Sequence, residues 1–116
     1  EETGHDLSGA LWSARLLIDE PSAIRDAHRD YFAAGAMVAI SSSYQVSFEG
    51  LATIGIDAAQ GEDLLRRSVD LAREARDANR PDGLVAASVG PYGAARADGS
   101  EYTGEYDLDR AGLRRW

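Results

Sequence analysis

Few residues in this chain can do acid–base, nucleophilic or metal chemistry. It has no Cys and no Lys, its 12 basic residues all being Arg, and its only His are His5 and His28. Without Lys there is no Schiff base and no phosphate-loop lysine. Without Cys there is no thiol nucleophile, disulfide or thiolate zinc site. His28 falls on the apolar stripe of a helix with no second His or thiolate beside it, a setting that suits a packed, hydrogen-bonded residue better than a metal ligand. His5-Asp6 reads as a solvated turn. What remains are neutral hydrogen-bonding and aromatic groups. They gather in Ser41-Ser42-Ser43-Tyr44-Gln45 and Gly90-Pro91-Tyr92-Gly93, with Trp12, Tyr102 and Tyr106 outside these strings.

The elements that must position these strings are legible from period and punctuation. Asp19-Glu20-Pro21 opens a helix, with Pro at the first helical position and acids at the positive end of the dipole. Ile24, Ala27, His28, Tyr31 and Phe32 recur at helical spacing, and Gly35 stands where a C-terminal cap belongs. Met37 to Ser42 is a short apolar run turning to hydroxyls, as expected of a strand buried on both faces of a parallel sheet. Ser43 to Ile56 has no clear period and reads as a loop. Asp57 and Gln60 form a capping-box pattern. Behind it Leu65, Val69, Ala72 and Ala75 make an apolar stripe, widened by Leu64, Ser68 and Leu71, with charges from Glu62 to Arg80 on the wet face. Arg80-Pro81-Asp82-Gly83 ends this helix. Leu84 to Val89 is a second buried strand, Ala94 to Tyr106 a long polar loop, and Leu108 to Trp116 the opening of another helix.

Alternation of helix and strand predicts a parallel sheet. Two strands cannot cover both sheet faces or close the edges, and open edges invite pairing with another chain. The expectation is therefore an incomplete piece of a larger soluble α/β enzyme, starting at Glu1 with its true beginning missing. A length of 116 residues allows one small domain. The net charge of −8 disfavours nucleic acid and anionic membrane surfaces as partners. No stretch approaches the roughly 20 apolar residues of a membrane span, and no secretory leader is visible. A cytoplasmic location is expected.

Gly4-His5-Asp6-Leu7-Ser8, Leu11-Trp12-Ser13-Ala14, His28-Arg29-Asp30-Tyr31-Phe32, Ser43-Tyr44-Gln45 and Ser88-Val89-Gly90-Pro91-Tyr92-Gly93-Ala94 follow one another in an order and spacing that resemble the homocysteine S-methyltransferase family. Asp98-Gly99-Ser100-Glu101-Tyr102 and Gly104-Glu105-Tyr106 extend the likeness over essentially the whole chain. It is most similar to the branch using S-methylmethionine or S-adenosylmethionine. The resemblance implies a partial (β/α)8 TIM barrel in which residues 1–116 supply roughly the second and third strand–helix units. It further implies methyl transfer from such a sulfonium donor to homocysteine, giving methionine. Zinc held by three thiolates would activate the homocysteine sulfur, but those ligands are absent from this chain, which alone is expected to be inactive. Met37 stands where the family often has Asp or Asn, a departure that threatens strand packing or register. Ser41 stands where Thr is frequent.

Active sites of such barrels lie at the carboxyl ends of the strands, which puts both strings at the rim. Ser43, Tyr44 and Gln45 are candidates to bind the substrate amino acid, the alternative being that they cap the strand and satisfy backbone groups. Tyr92 and its flanking glycines either touch substrate or hold a rigid turn. Trp12 is a candidate wall for the sulfonium, since cations favour aromatic faces, or an ordinary packing residue. Tyr102 and Tyr106 are better placed in loop packing than in a donor pocket. The competing function is a non-catalytic barrel piece that self-associates through its open sheet edges as an oligomerising or interaction module.

Overall fold

The computed structural model describes residues 12–96 and 98–116, apart from the side chains of Trp12 and Ser13. Helices α1 (Trp12–Asp19) and α2 (Pro21–Ala33) lead into strand β1 (Val38–Ile40). Short α3 (Phe48–Ala52) and long α4 (Ala58–Asn79) follow, then strand β2 (Leu84–Ala86). Helices α5 (Tyr92–Arg96), α6 (Ser100–Thr103) and α7 (Arg110–Arg115) finish the chain. The strands pair in parallel, with Val38 opposite Leu84, Ala39 opposite Val85 and Ile40 opposite Ala86. A mixed α/β unit with a two-stranded parallel sheet is compatible with part of a barrel.

The helix boundaries follow their caps. Pro21 occupies the first turn of α2, and Gly35, at φ 103°, takes the left-handed turn that releases the chain toward β1. At α4 the capping box is complete: the Gln60 N–H donates to Asp57 Oδ1 at 2.9 Å and the Asp57 N–H to Gln60 Oε1 at 2.9 Å. Asp109 caps α7 by accepting from the Gly112 N–H at 2.7 Å, so that helix starts two residues later than its apolar pattern suggests. Two expected loops contain helix. Ser47 accepts from the Gly50 N–H at 3.1 Å and starts α3, while α5 and α6 interrupt the Ala94–Tyr106 stretch. Four or five residues are too few for a period to show in sequence.

Among the described residues, core side chains sit on one side of the sheet. Phe32 of α2, Ala39 of β1 and Ala72 and Ala75 of α4 are buried together, with Val85 packed against them. Leu17, Ile24 and Leu71 form a second cluster that includes Leu16, Val46 and Leu64 at its margin. The buried line of α4 runs through Ser68, Leu71, Ala72 and Ala75; Leu65 and Val69 are half-buried, so the stripe is rotated from the sequence expectation. Nor are the strands buried on both faces. Val38, Ile40 and Leu84 are 48%, 63% and 65% exposed, because α2 and α4 cover only the face of Ala39 and Val85.

Met37 leaves the register intact. Its carbonyl accepts from the Leu84 N–H at 2.8 Å, and its sulfur lies 2.7 Å from Arg80 Nη2, giving the α4 cap a partner across the start of the sheet. Ion pairs along α4, such as Arg66–Glu62 at 3.0 Å, are exposed and contribute little to stability. No helix among the described residues is long and apolar enough to cross a membrane.

Because the capping box satisfies two otherwise orphaned N–H groups at the start of the longest helix, Asp57→Ala is expected to cost about 1 kcal/mol. That corresponds to a fall in Tm of roughly 4–8 °C for a domain of this size, readable by thermal unfolding followed by circular dichroism.

Candidate functional site

Side chains along β1 alternate between its two faces, and the alternation runs past the end of the regular strand. Ala39, Ser41 and Ser43 are buried, whereas Val38, Ile40 and Tyr44 are exposed and Ser42 is intermediate. The Ser41 N–H donates to the Ala86 carbonyl at 2.9 Å. Past that rung, the side chains of Ser41 and Ser43 take over from the backbone ladder. Ser88 N–H donates to Ser41 Oγ at 2.9 Å, Ser41 Oγ and Ser43 Oγ lie 2.8 Å apart, and Ser43 Oγ donates to the Ser88 carbonyl at 2.7 Å. The two rim strings also touch directly. A Cβ at Gly90 would fall 2.1 Å from the Tyr44 carbonyl oxygen, so only glycine allows this approach.

The second loop is pinned by Asp107. Tyr92 Oη donates to Asp107 Oδ1 at 2.6 Å, and Arg96 Nη1 to Asp107 Oδ2 at 2.6 Å. Arg96 also bonds Asp98 at 3.1 Å. Tyr92 meets Tyr106 and Trp116 edge-on, with centroids 5.7 and 5.3 Å apart, a favoured aromatic geometry. Between this loop and α3 runs a groove of about 330 Å³ that includes Ser47, Glu49, Tyr92, Arg96 and Trp116 in its lining. The Tyr92 hydroxyl holds the Asp107 carboxyl below the usual range, and the same bond raises the Tyr92 phenol.

The candidate residues therefore part company. Ser43, 4% exposed, directs its hydroxyl into the sheet in the backbone-satisfying role rather than toward solvent. Tyr44 is 43% exposed and Gln45 half-buried, both at the rim beside Gly90. Tyr92 stands in the facing loop with its hydroxyl engaged. Trp12 opens α1, but its side chain, like His5, lies outside the described residues. His28 is half-buried in a groove with Tyr31, Val38 and Ile40 along the free edge of β1. It is not the fully bonded residue expected from sequence: its buried Nε2 has no partner, and burial lowers its pKa. Sequence reasoning placed Ser41 at the rim without giving it a role, and missed Asp107. The i, i+2 spacing of Ser41 and Ser43 on one strand face was the available signal for the first; nothing local marks Asp107. Among the described residues, no group of three or more His, Asp or Glu is placed to hold a metal ion.

Removing the Tyr92 hydroxyl tests the electrostatics of the second loop. The Asp107 pKa is depressed in the folded chain, so its contribution to stability is present above the ordinary carboxylate range of about 3.9 and is lost as pH falls through the folded value. Tyr92→Phe is expected to move the Asp107 midpoint upward in a carboxyl-carbon NMR titration, and to flatten the acid limb of the stability curve.

Comparison with known proteins supplies the context for this rim. The family model for homocysteine S-methyltransferase matches residues 1–116. The homocysteine S-methyltransferase YbgG of Bacillus subtilis is 50% identical over 117 residues, covering 93% of this chain and 37% of the relative. The homocysteine S-methyltransferase of Escherichia coli is 49% identical over 112 residues, covering 91% and 36%. The crystal structure of the Escherichia coli homocysteine methyltransferase MmuM in its metallated form superposes with a TM-score of 0.85 at 46% identity, over 97% of this chain and 43% of that one. The chain thus spans little more than a third of the length of these curated relatives. With a family match along its whole length and about half its residues shared with these enzymes, the chain belongs to the homocysteine S-methyltransferase family.

Proposed function

We propose that this chain forms the second and third strand–helix units of a (β/α)8 barrel that transfers a methyl group from S-methylmethionine or S-adenosylmethionine to homocysteine. The observation that carries this reading is the side-by-side arrangement of Ser43-Tyr44-Gln45 and Gly90-Pro91-Tyr92 at the carboxyl ends of two parallel strands, the end at which barrels build their sites. The uncovered sheet face of Val38, Ile40 and Leu84 supports it too, as the surface on which the remaining strands would close.

In this reaction the homocysteine thiolate sulfur attacks the methyl carbon of the sulfonium. A new S–CH3 bond forms as the old one breaks, and its electron pair leaves with the neutral sulfide. No proton moves in that step, so neutral groups suffice at the rim. Tyr44 and Gln45 are assigned to the polar ends of the amino acid. Trp12 and Tyr92 are assigned to aromatic walls for the cation. The zinc implied by the family resemblance does not fit the residues in hand. The chain has no Cys and no alternative ligand cluster among the described residues, so these residues do not hold the ion themselves.

The test is a hybrid in which residues 1–116 replace the matched segment of the Escherichia coli relative. It is expected to form methionine from homocysteine and S-methylmethionine, with Gln45→Ala lowering kcat/KM about tenfold, the worth of one polar contact. A folded hybrid without turnover would refute the assignment. Running the same assay with S-adenosylmethionine separates the two donors.

The open edges and the exposed Ile40, Leu84 and Val89 favour a second reading, a self-associating module. Light scattering after size exclusion decides it: a defined oligomer of the 116-residue chain is its expected result, and a well-folded monomer counts against it.

A further inference from the structure

We infer that the Ser41 and Ser43 hydroxyls are positioning groups that hold the two rim strings in one fixed relation through the backbone of Ser88, and that Ser43 is not a substrate contact. This deepens the methyltransferase reading and rests on it for its catalytic consequence, but not for its geometry. The proton count at the three residues settles the direction of every bond. A carbonyl oxygen only accepts, so the Ser88 carbonyl takes the single hydroxyl proton of Ser43. Ser43 has no second proton to give, so in the 2.8 Å contact Ser41 donates to Ser43. Ser41 Oγ in turn accepts from the Ser88 N–H. The result is a closed circuit that leaves Ser88 by its N–H and returns to it by its carbonyl.

This circuit sits where the sheet needs it. The last backbone rung is Ser41 N–H to the Ala86 carbonyl. Beyond it the N–H and carbonyl of Ser88 would be stranded, and stranded buried backbone groups are costly. Two hydroxyls, 3% and 4% exposed, replace the missing rungs. Their burial and their head-to-tail order strengthen each bond. Two residues farther along the second string and one along the first, Gly90 lies against the Tyr44 carbonyl. Tyr44 and Gln45 are therefore tied to Gly90 and Tyr92 by the circuit beneath and by the glycine contact beside it. Ser41 and Ser43 reach the rim only through this frame. Removing either hydroxyl should misplace groups rather than delete a contact, and the signature is a fall in turnover, since small displacements cost rate steeply.

The matched pair Ser41→Thr and Ser41→Val tests this, because the two side chains share a shape and differ by the hydroxyl. In the 116-residue chain, Ser41→Val is expected to speed amide hydrogen exchange at Ser88 at least about tenfold, leaving Leu84 at the far end of the sheet unchanged. Ser41→Thr is expected to keep the Ser88 rate close to that of the parent. In the hybrid enzyme, Ser41→Val and Ser43→Ala are expected to lower kcat about tenfold or more with little change in KM for homocysteine, and Ser41→Thr to restore kcat. Equal Ser88 exchange in the Thr and Val variants would overturn the circuit. A raised KM for homocysteine at unchanged kcat in Ser43→Ala would overturn the positioning role and return Ser43 to the substrate. An unsubstituted hybrid without turnover would instead count against the methyltransferase reading, with Ser88 exchange still deciding the circuit.

Discussion

Burial of two helices against a single face of a two-stranded parallel sheet is the constraint on which this chain depends. Ala39 in the middle of β1 and Ala72 and Ala75 on α4 are small, and Phe32 of α2 is buried with them. Small residues at that contact let α4 lie close to the strands while one large ring supplies apolar area. The register follows from the same contact. A one-residue slip of β1 would turn Ala39 outward and send Val38 or Ile40 toward α4. The helices, one beginning at Pro21 and the other capped by Asp57 and Gln60, thus decide which side chains of each strand are hidden and which are presented on the other face.

That one-sidedness explains why hydroxyls, rather than more backbone rungs, join the carboxyl ends of the strands. After Ile40 and Ala86 the regular ladder stops, yet Ser41 and Ser43 remain on the helix-side face and have Ser88 within reach. Side-chain oxygens can follow a diverging backbone in a way that ladder N–H and carbonyl groups cannot. The rim inherits a rigid base, on which the more exposed Tyr44 and Gln45 stand. Across from them, Asp107 organises Tyr92 and Arg96 with two bonds of 2.6 Å. One string is held by buried neutral hydrogen bonds and the other by exposed charged ones, so the two respond differently to acid and to salt.

Much of the framework was legible from residue type and spacing. The capping box, the long amphipathic helix, the stop at Arg80-Pro81-Asp82-Gly83 and the two strand cores all announce themselves locally. Helices α3, α5 and α6 did not, because at four or five residues they are set by single caps and by neighbours rather than by a repeated apolar pattern. On α4 the sequence named Ser68, Leu71, Ala72 and Ala75 among the stripe residues, but not that Leu65 and Val69 would fall at its margin, which depends on where α1 and α2 lie.

The candidate site divides along the same line. The sequence by itself determined that thiol and lysine chemistry are closed to these residues, since the chain has neither Cys nor Lys, and that the polar groups of its two strings are neutral. It also placed those groups just past two apolar runs, because strand ends can be read from where apolar residues give way to hydroxyls and glycines. Only the tertiary structure decided which of the clustered hydroxyls bond across the gap between the strands. Ser41, Ser42 and Ser43 are chemically identical. What distinguishes them is the side of β1 on which each falls and the presence of Ser88 across the strand gap, 45 residues from Ser43 along the chain. A hydrogen-bond partner that distant is created by the parallel pairing of β1 with β2, with α4 as the connection that packs on one face of the pair, and no local pattern records it.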